Sequence, residues 1–171
     1  MSKYQEKMNS LGCYLVKDNY EIPTQEDIEQ LERQLNFRFP SDYKDFLSFY
    51  GLSSFEEYVY FPFKENYPKD DVGLLNVFFG ANSNDVYDLI KNYDNYQRRI
   101  SLDLLPIAND PGGNIICISV KNNIGAVYYW DHEDEIVVEK GEEIDNSNLY
   151  LIANSFDEFI NSLEIEPDED N

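Results

Sequence analysis

The order of hydrophobic patterns most limits what this chain can fold into. Helical spacing gathers near the N-terminus, and strand-like runs fill the second half. Their segregation predicts an α+β single domain: a mainly antiparallel sheet with helices packed on it, two of them N-terminal and one C-terminal. With 42% hydrophobic and 15% aromatic residues, the chain can fill a core in spite of its charge.

The first predicted helix starts at Thr24, where Thr24 and Asp27 are spaced as a capping box and Ile28, Leu31 and Leu35 line one face. A second begins at Ser41 as N-cap, with Tyr43, Phe46, Leu47 and Tyr50 at helical spacing and Gly51 placed for a left-handed stop. Aromatic and β-branched runs at 55–63 and 74–79 predict strands, and Pro62 confines the first to an edge or an end. Ser83 or Asn84 is placed to cap a third helix carrying Val86, Leu89, Ile90 and Tyr93. Strands are then expected at 102–108, 114–120, 126–130, 136–139 and 149–152, with a turn at Asn109-Asp110-Pro111-Gly112-Gly113. A last helix opens at Ser155, with Glu158 completing a capping box and Phe156, Phe159, Ile160 and Leu163 as its apolar face. The domain is expected over 1–163. Residues 164–171 carry five acidic and no basic residues, which predicts a disordered tail.

Charge narrows the function classes. Lys and Arg number 13 against 34 Asp and Glu, a formal net charge of −21. Gripping nucleic-acid phosphate needs clustered cations, and so does an anionic membrane surface, so neither is expected as a partner. A basic protein is the partner class that remains. No run of about 18 apolar residues is present, and no apolar stretch follows the N-terminal lysines, so a cytoplasmic protein without a secretory signal is expected. Cys13 and Cys117 are expected as free thiols.

The search for chemistry yields no catalytic set, and neither an enzyme nor a cofactor is expected. The single histidine, His132, lies in an acidic loop and lacks a second histidine for a relay. Cys117 sits in an apolar run without the electropositive setting a reactive thiol needs. Asp131, Glu133 and Glu135 alternate somewhat as in a calcium loop, but Ile136 stands where that loop requires glycine, so no metal site is expected. Asp110-Pro111-Gly112-Gly113 lacks the Lys-Ser/Thr of a phosphate-binding loop.

What remains is acidity beside aromatic residues. Eight acidic residues and one lysine lie between Asp131 and Asp145. The candidate partner-binding residues are Glu56, Glu57, Tyr58, Asp70, Asp71, Trp130, Asp131, Glu133, Asp134 and Glu135, with Tyr58 and Trp130 as anchors. Carboxylates steer a cationic partner, and rigid aromatic rings supply contact area.

Three blocks give the chain a family resemblance. The first runs from Ile28-Glu29-Gln30-Leu31 through Phe39-Pro40-Ser41-Asp42-Tyr43 and Phe46-Leu47 to Gly51. The second joins Leu105-Pro106-Ile107-Ala108, Asp110 and Gly112-Gly113-Asn114 to Gly125 and Val127 to His132. The third is Ile152-Ala153-Asn154-Ser155-Phe156-Asp157-Glu158-Phe159. In order and spacing, over 24–163, the chain resembles the SUKH superfamily of Smi/Knr-type domains. The strand after Asn114 departs from the pattern, because Ile118-Ser119-Val120 lacks the acidic residue many members carry. The resemblance implies an α+β fold and a binding role without catalysis. In bacterial members that role is immunity, the neutralisation of a cognate toxin domain that is often a nuclease. In fungal relatives it is regulation of cell-wall synthesis through protein contacts. The expected function is therefore an immunity protein against a cationic toxin, with an intracellular scaffold or regulator as the alternative.

Overall fold

The computed structural model describes residues 1–166. In chain order the elements are α1 (Gln5–Ser10), β1 (Cys13–Leu15), α2 (Gln25–Leu35), α3 (Ser41–Tyr50), β2 (Ser53–Phe55), β3 (Val59–Pro62), β4 (Val72–Leu75) and β5 (Val77–Phe78). There follow α4 (Leu89–Asn95), β6 (Leu104–Asn109), β7 (Ile115–Ser119), β8 (Val127–Trp130), β9 (Leu149–Ala153), α5 (Phe156–Ser162) and β10 (Glu164–Ile165). Seven strands form one antiparallel sheet in the order β1-β2-β5-β6-β7-β8-β9, and three form a second in the order β10-β3-β4. The α+β class and the antiparallel sheet are as the sequence predicts.

The small sheet is a detour in the large one. β2 and β5 are neighbours in the large sheet, and the chain between them leaves to build the β3–β4 hairpin. Phe61, at the centre of β3, packs on Tyr129 of β8 and Phe159 of α5, which fastens the detour to the core. Its register partner is Gly73, and the Phe61 ring occupies the space a side chain there would need. The predicted strand at 74–79 is thus two short strands in different sheets, separated at Asn76.

Strand alternation gives the large sheet two apolar faces. On one, Phe46 of α3 meets Phe78 of β5 and Phe156 of α5, and Tyr43 adds an edge contact to Phe156. On the other, the α4 segment lies over β6, and Tyr96, just past α4, meets Trp130 of β8 edge to face. β7 between them is wholly buried, Cys117 included. Burial pushes the Cys117 thiol upward, away from the reactive thiolate form.

Several local expectations hold and several do not. The Thr24–Asp27 capping box is complete. Ser155 accepts from the Glu158 N–H at 3.0 Å, but the Glu158 side chain returns to Asn154 N rather than to Ser155. Ser41 is the first residue of α3 rather than its cap. Gly51 is not left-handed; Leu52 is, at φ 58°. A side chain on Gly51 would crowd Leu47 and the Gly80 backbone, so glycine serves close approach here. The third helix starts later than predicted, capped by Asp88, because Asn82 and Asn84 both turn left-handed and leave Val86 76% exposed. The strand expected at 136–139 does not form, since β8 takes β9 as its partner and offers this run no edge. α1 and β1 were not signalled by periodicity. Glu164 and Ile165, placed in the tail, pair with Tyr60 and Val59; residues 167–171 lie outside the described residues. No helix among the described residues is long and apolar enough to cross a membrane.

Candidate functional site

The loop that follows β8 carries most of the candidate residues, and its base is built as a polar knot. Asp110, in the turn after β6, accepts from Gly112 N and Asn114 N at 2.8 Å each through Oδ1. Through Oδ2 it accepts from Asn114 Nδ2 at 2.8 Å and Tyr129 OH at 2.7 Å. Asn114 Oδ1 then accepts from His132 N at 3.0 Å. His132 Nε2 lies 2.8 Å from the Gly112 carbonyl. A carbonyl can only accept, so Nε2 carries the proton and donates. The motif Asp110…Gly112-Gly113-Asn114…Asp131-His132 therefore ties the β6–β7 turn to the end of β8. Buried Tyr129 feels desolvation and the Asp110 carboxylate, and both push its phenol upward.

Asp131 forms a second knot. Its Oδ1 accepts from Glu133 N at 3.0 Å, and its Oδ2 accepts from Tyr67 OH and Lys69 Nζ at 2.7 Å each. Its backbone exchanges hydrogen bonds with Asn148 at the far end of the loop. Burial raises the Asp131 pKa, but Lys69, Tyr67 and the Glu133 amide outweigh it and hold the carboxyl below its ordinary value. Lys69 also reaches Glu133 at 3.2 Å and Asp134 at 3.0 Å. Three carboxylates thus share one ammonium, and these hydrogen bonds, Asp131 first, raise its pKa. The Tyr67 ring, stacked on Phe63, carries the 63–71 loop onto β8 and β9.

Glu135 ends this base. It makes a bidentate pair with Arg99, both distances 2.9 Å. The guanidinium stands 5.0 Å from the Tyr96 ring centroid and 5.3 Å from that of Trp130. The pair raises the Arg99 pKa.

This geometry corrects part of the candidate set. Trp130 is 2% exposed and cannot anchor a partner, because strand alternation turns its ring under Tyr96 and Arg99. Asp131 is 1% exposed, with both carboxylate oxygens engaged by its own chain. Glu135 is committed to Arg99, its side chain 14% exposed. Glu133 and Asp134 stay exposed, although Lys69 neutralises part of their charge. Asp70 and Asp71 are exposed beside Lys69, so the two acidic loops do meet here. Glu56, Glu57 and Tyr58 are exposed on the link between β2 and β3, beside Gly12 and β10. The length of β3, about 13 Å at 3.3 Å per residue, separates them from the 63–71 loop.

The rest of the acidic segment, 136–145, has no such pairing. Glu139, Glu142, Glu143 and Asp145 are exposed and form no salt bridge among the described residues. Ile136 and Val137 are 53% and 86% exposed. A groove of about 260 Å³ lies between this loop and residues 97–102. A wider cleft of about 600 Å³ at the C-terminal end of α2 mixes Arg33, Arg38 and Lys44 with Glu29 and Glu32, and Lys44 is spent on Glu32 at 2.7 Å. The sequence could not assign Lys69 or Arg99, since Arg99 is 36 residues from Glu135, and Lys69 is 62 and 64 residues from Asp131 and Glu133.

Comparisons with known proteins bear on the family and the fold. The model of the SMI1 / KNR4 family (SUKH-1) matches residues 22–162. An SPbeta prophage-derived uncharacterized protein, YokK, of Bacillus subtilis (strain 168) is 37% identical over 159 residues, covering 85% of this chain and 77% of that protein. A crystal structure of a protein from Pseudomonas syringae pv. tomato aligns with a TM-score of 0.51 at 15% identity, over 77% of this chain and 86% of the other. At that identity the likeness is one of fold.

Proposed function

The chain belongs to the SMI1 / KNR4 family (SUKH-1), and from that premise we propose that it is a non-catalytic immunity protein that binds and neutralises a cognate basic toxin domain of nuclease type. It acts in the cytoplasm of the cell that carries it. Neutralisation is steric: the bound chain covers the toxin's substrate site, and its carboxylates stand where substrate phosphates would lie. A nuclease surface is basic because its substrate is polyanionic, so an acidic blocker gains both in encounter rate and in complementarity.

The observation that carries this reading is the disposition of polar groups. Asp110, Asp131 and His132, the residues best suited to chemistry, are each bound by their own chain. The exposed carboxylates of 136–145 lie outside those knots. The reading is tested by expressing candidate toxin domains from the genes neighbouring this one in a sensitive host, with and without the chain. Survival only when the chain is present, with His132→Ala protecting as well as the parent, is the expected result. Killing that the chain does not relieve would overturn it.

A further inference from the structure

The acidic segment also contains an apolar surface that the fold does not use. Ile136 and Val137 are exposed in the stretch 136–148, which forms neither strand nor helix, and Leu102, across the groove, is 52% exposed. Leu102, Val138 and Ile144 line the groove together with Glu139 and Glu142. Arg98 and Lys140 line it too. Over the groove and the loop together, however, Glu139, Glu142, Glu143 and Asp145 outnumber Arg98 and Lys140. The volume, about 260 Å³, exceeds a cavity of about 150 Å³ that holds a benzene ring, so a leucine-sized or aromatic side chain fits.

We infer that the groove between 97–102 and 138–144 receives an apolar side chain of the basic partner, flanked there by lysine or arginine residues that pair with Glu139, Glu142 and Glu143. This rests on the reading of the partner as a cationic protein and places its contact on the distal half of the acidic segment. Charge selects the occupant: a neutral apolar segment would leave the carboxylates of Glu139 and Glu142 unpaired and partly desolvated, which costs free energy, whereas a basic one pairs them. The base of the loop is fixed at both ends by the Asp131–Asn148 hydrogen bonds and at Glu135 by Arg99, so the distal residues are presented on a held frame. The exposed apolar residues then supply the contact that resists dissociation, while the carboxylates accelerate encounter.

The test uses the full ¹⁵N-labelled chain titrated with a twelve-residue peptide of alternating lysine and leucine, with an all-lysine peptide as control. Saturable amide shifts concentrated on 97–102 and 136–145, at least tenfold weaker binding to Leu102→Ser/Val137→Ser, and diffuse, unsaturable shifts from the all-lysine peptide are expected. Both substituted residues are half or more exposed, and an otherwise unchanged spectrum confirms that the variant folds. Shifts centred on 56–58 or on 70–71, shifts spread evenly over the acidic surface, or no saturable binding would overturn the assignment. Protection of toxin-expressing cells is a separate readout. A protecting chain whose shifts lie elsewhere overturns the location alone; one that binds the peptide here but does not protect overturns the immunity reading alone.

Discussion

The two halves of the acidic segment after β8 look alike in sequence and differ in what their charges do. In 131–135 every carboxylate meets a cation: Asp131, Glu133 and Asp134 share Lys69, and Glu135 takes Arg99. In 136–145 none does among the described residues, and two apolar side chains stand in solvent between the charges. Charge density along a sequence therefore does not measure the charge a surface presents. The first half holds the loop to the sheet, and the second is what a partner would meet.

The largest expected effect would break this comparison if absent. Asp131→Ala removes the acceptor for Tyr67, Lys69 and the Glu133 amide at a site 1% exposed. It should cost about 3 kcal/mol of unfolding free energy in urea. Glu139→Ala should leave the urea midpoint where it is. Equal losses at the two positions would show that the halves do not differ.

Arg99→Met is expected to cost about 1 kcal/mol, since the bidentate pair and the ring contacts are partly exposed and screened. Amide exchange across 135–145 should quicken at the same time. Unchanged exchange would mean that Arg99 does not hold the frame.

The pH dependence sharpens the same point. Asp131 titrates below its ordinary value of 3.8 in the folded chain. Its contribution is complete above that value and is lost as pH falls through the lower folded-state value. Without its ammonium partner, Asp131 moves back upward. Urea midpoints of Lys69→Met should then be lower at neutral pH and should decline less steeply between about pH 5 and pH 2. A decline as steep as the parent's would remove Lys69 from the explanation. The smallest effect belongs to Glu139→Gln/Glu142→Gln/Glu143→Gln, whose urea midpoint should match the parent's, because these carboxylates form no ion pair among the described residues and the one hydrogen bond, from Glu139 N to Glu142, is exposed and open to a glutamine oxygen as well.

Much of the frame was legible because local physics dictates it. The Thr24–Asp27 box, the Ser155 cap and the Asn109–Gly113 turn each satisfy their own backbone within a few residues, so spacing alone reveals them. The candidate site was legible only as a region. Trp130 reads as an aromatic anchor beside acids, but which face of β8 it occupies depends on pairing with Ile115 and Leu149. Ile136 to Glu139 reads as a strand, yet β8, which it follows, is already paired with β7 and β9, and the run pairs with no strand among the described residues. Lys69 is one lysine among several until the 63–71 loop folds onto Tyr129 through Tyr67. The separation of internal from outward charge is a property of tertiary contacts and has no local signature.

The account stands or falls on whether the distal carboxylates meet the partner. The most direct measurement is the association rate of the chain with the cognate toxin domain proposed above, at low and high salt, for the parent and for Glu139→Gln/Glu142→Gln/Glu143→Gln. The account predicts a parent rate that falls at least about tenfold as salt rises, and a much flatter dependence in the variant. A parent rate indifferent to salt, or a variant as salt-sensitive as the parent, would contradict it.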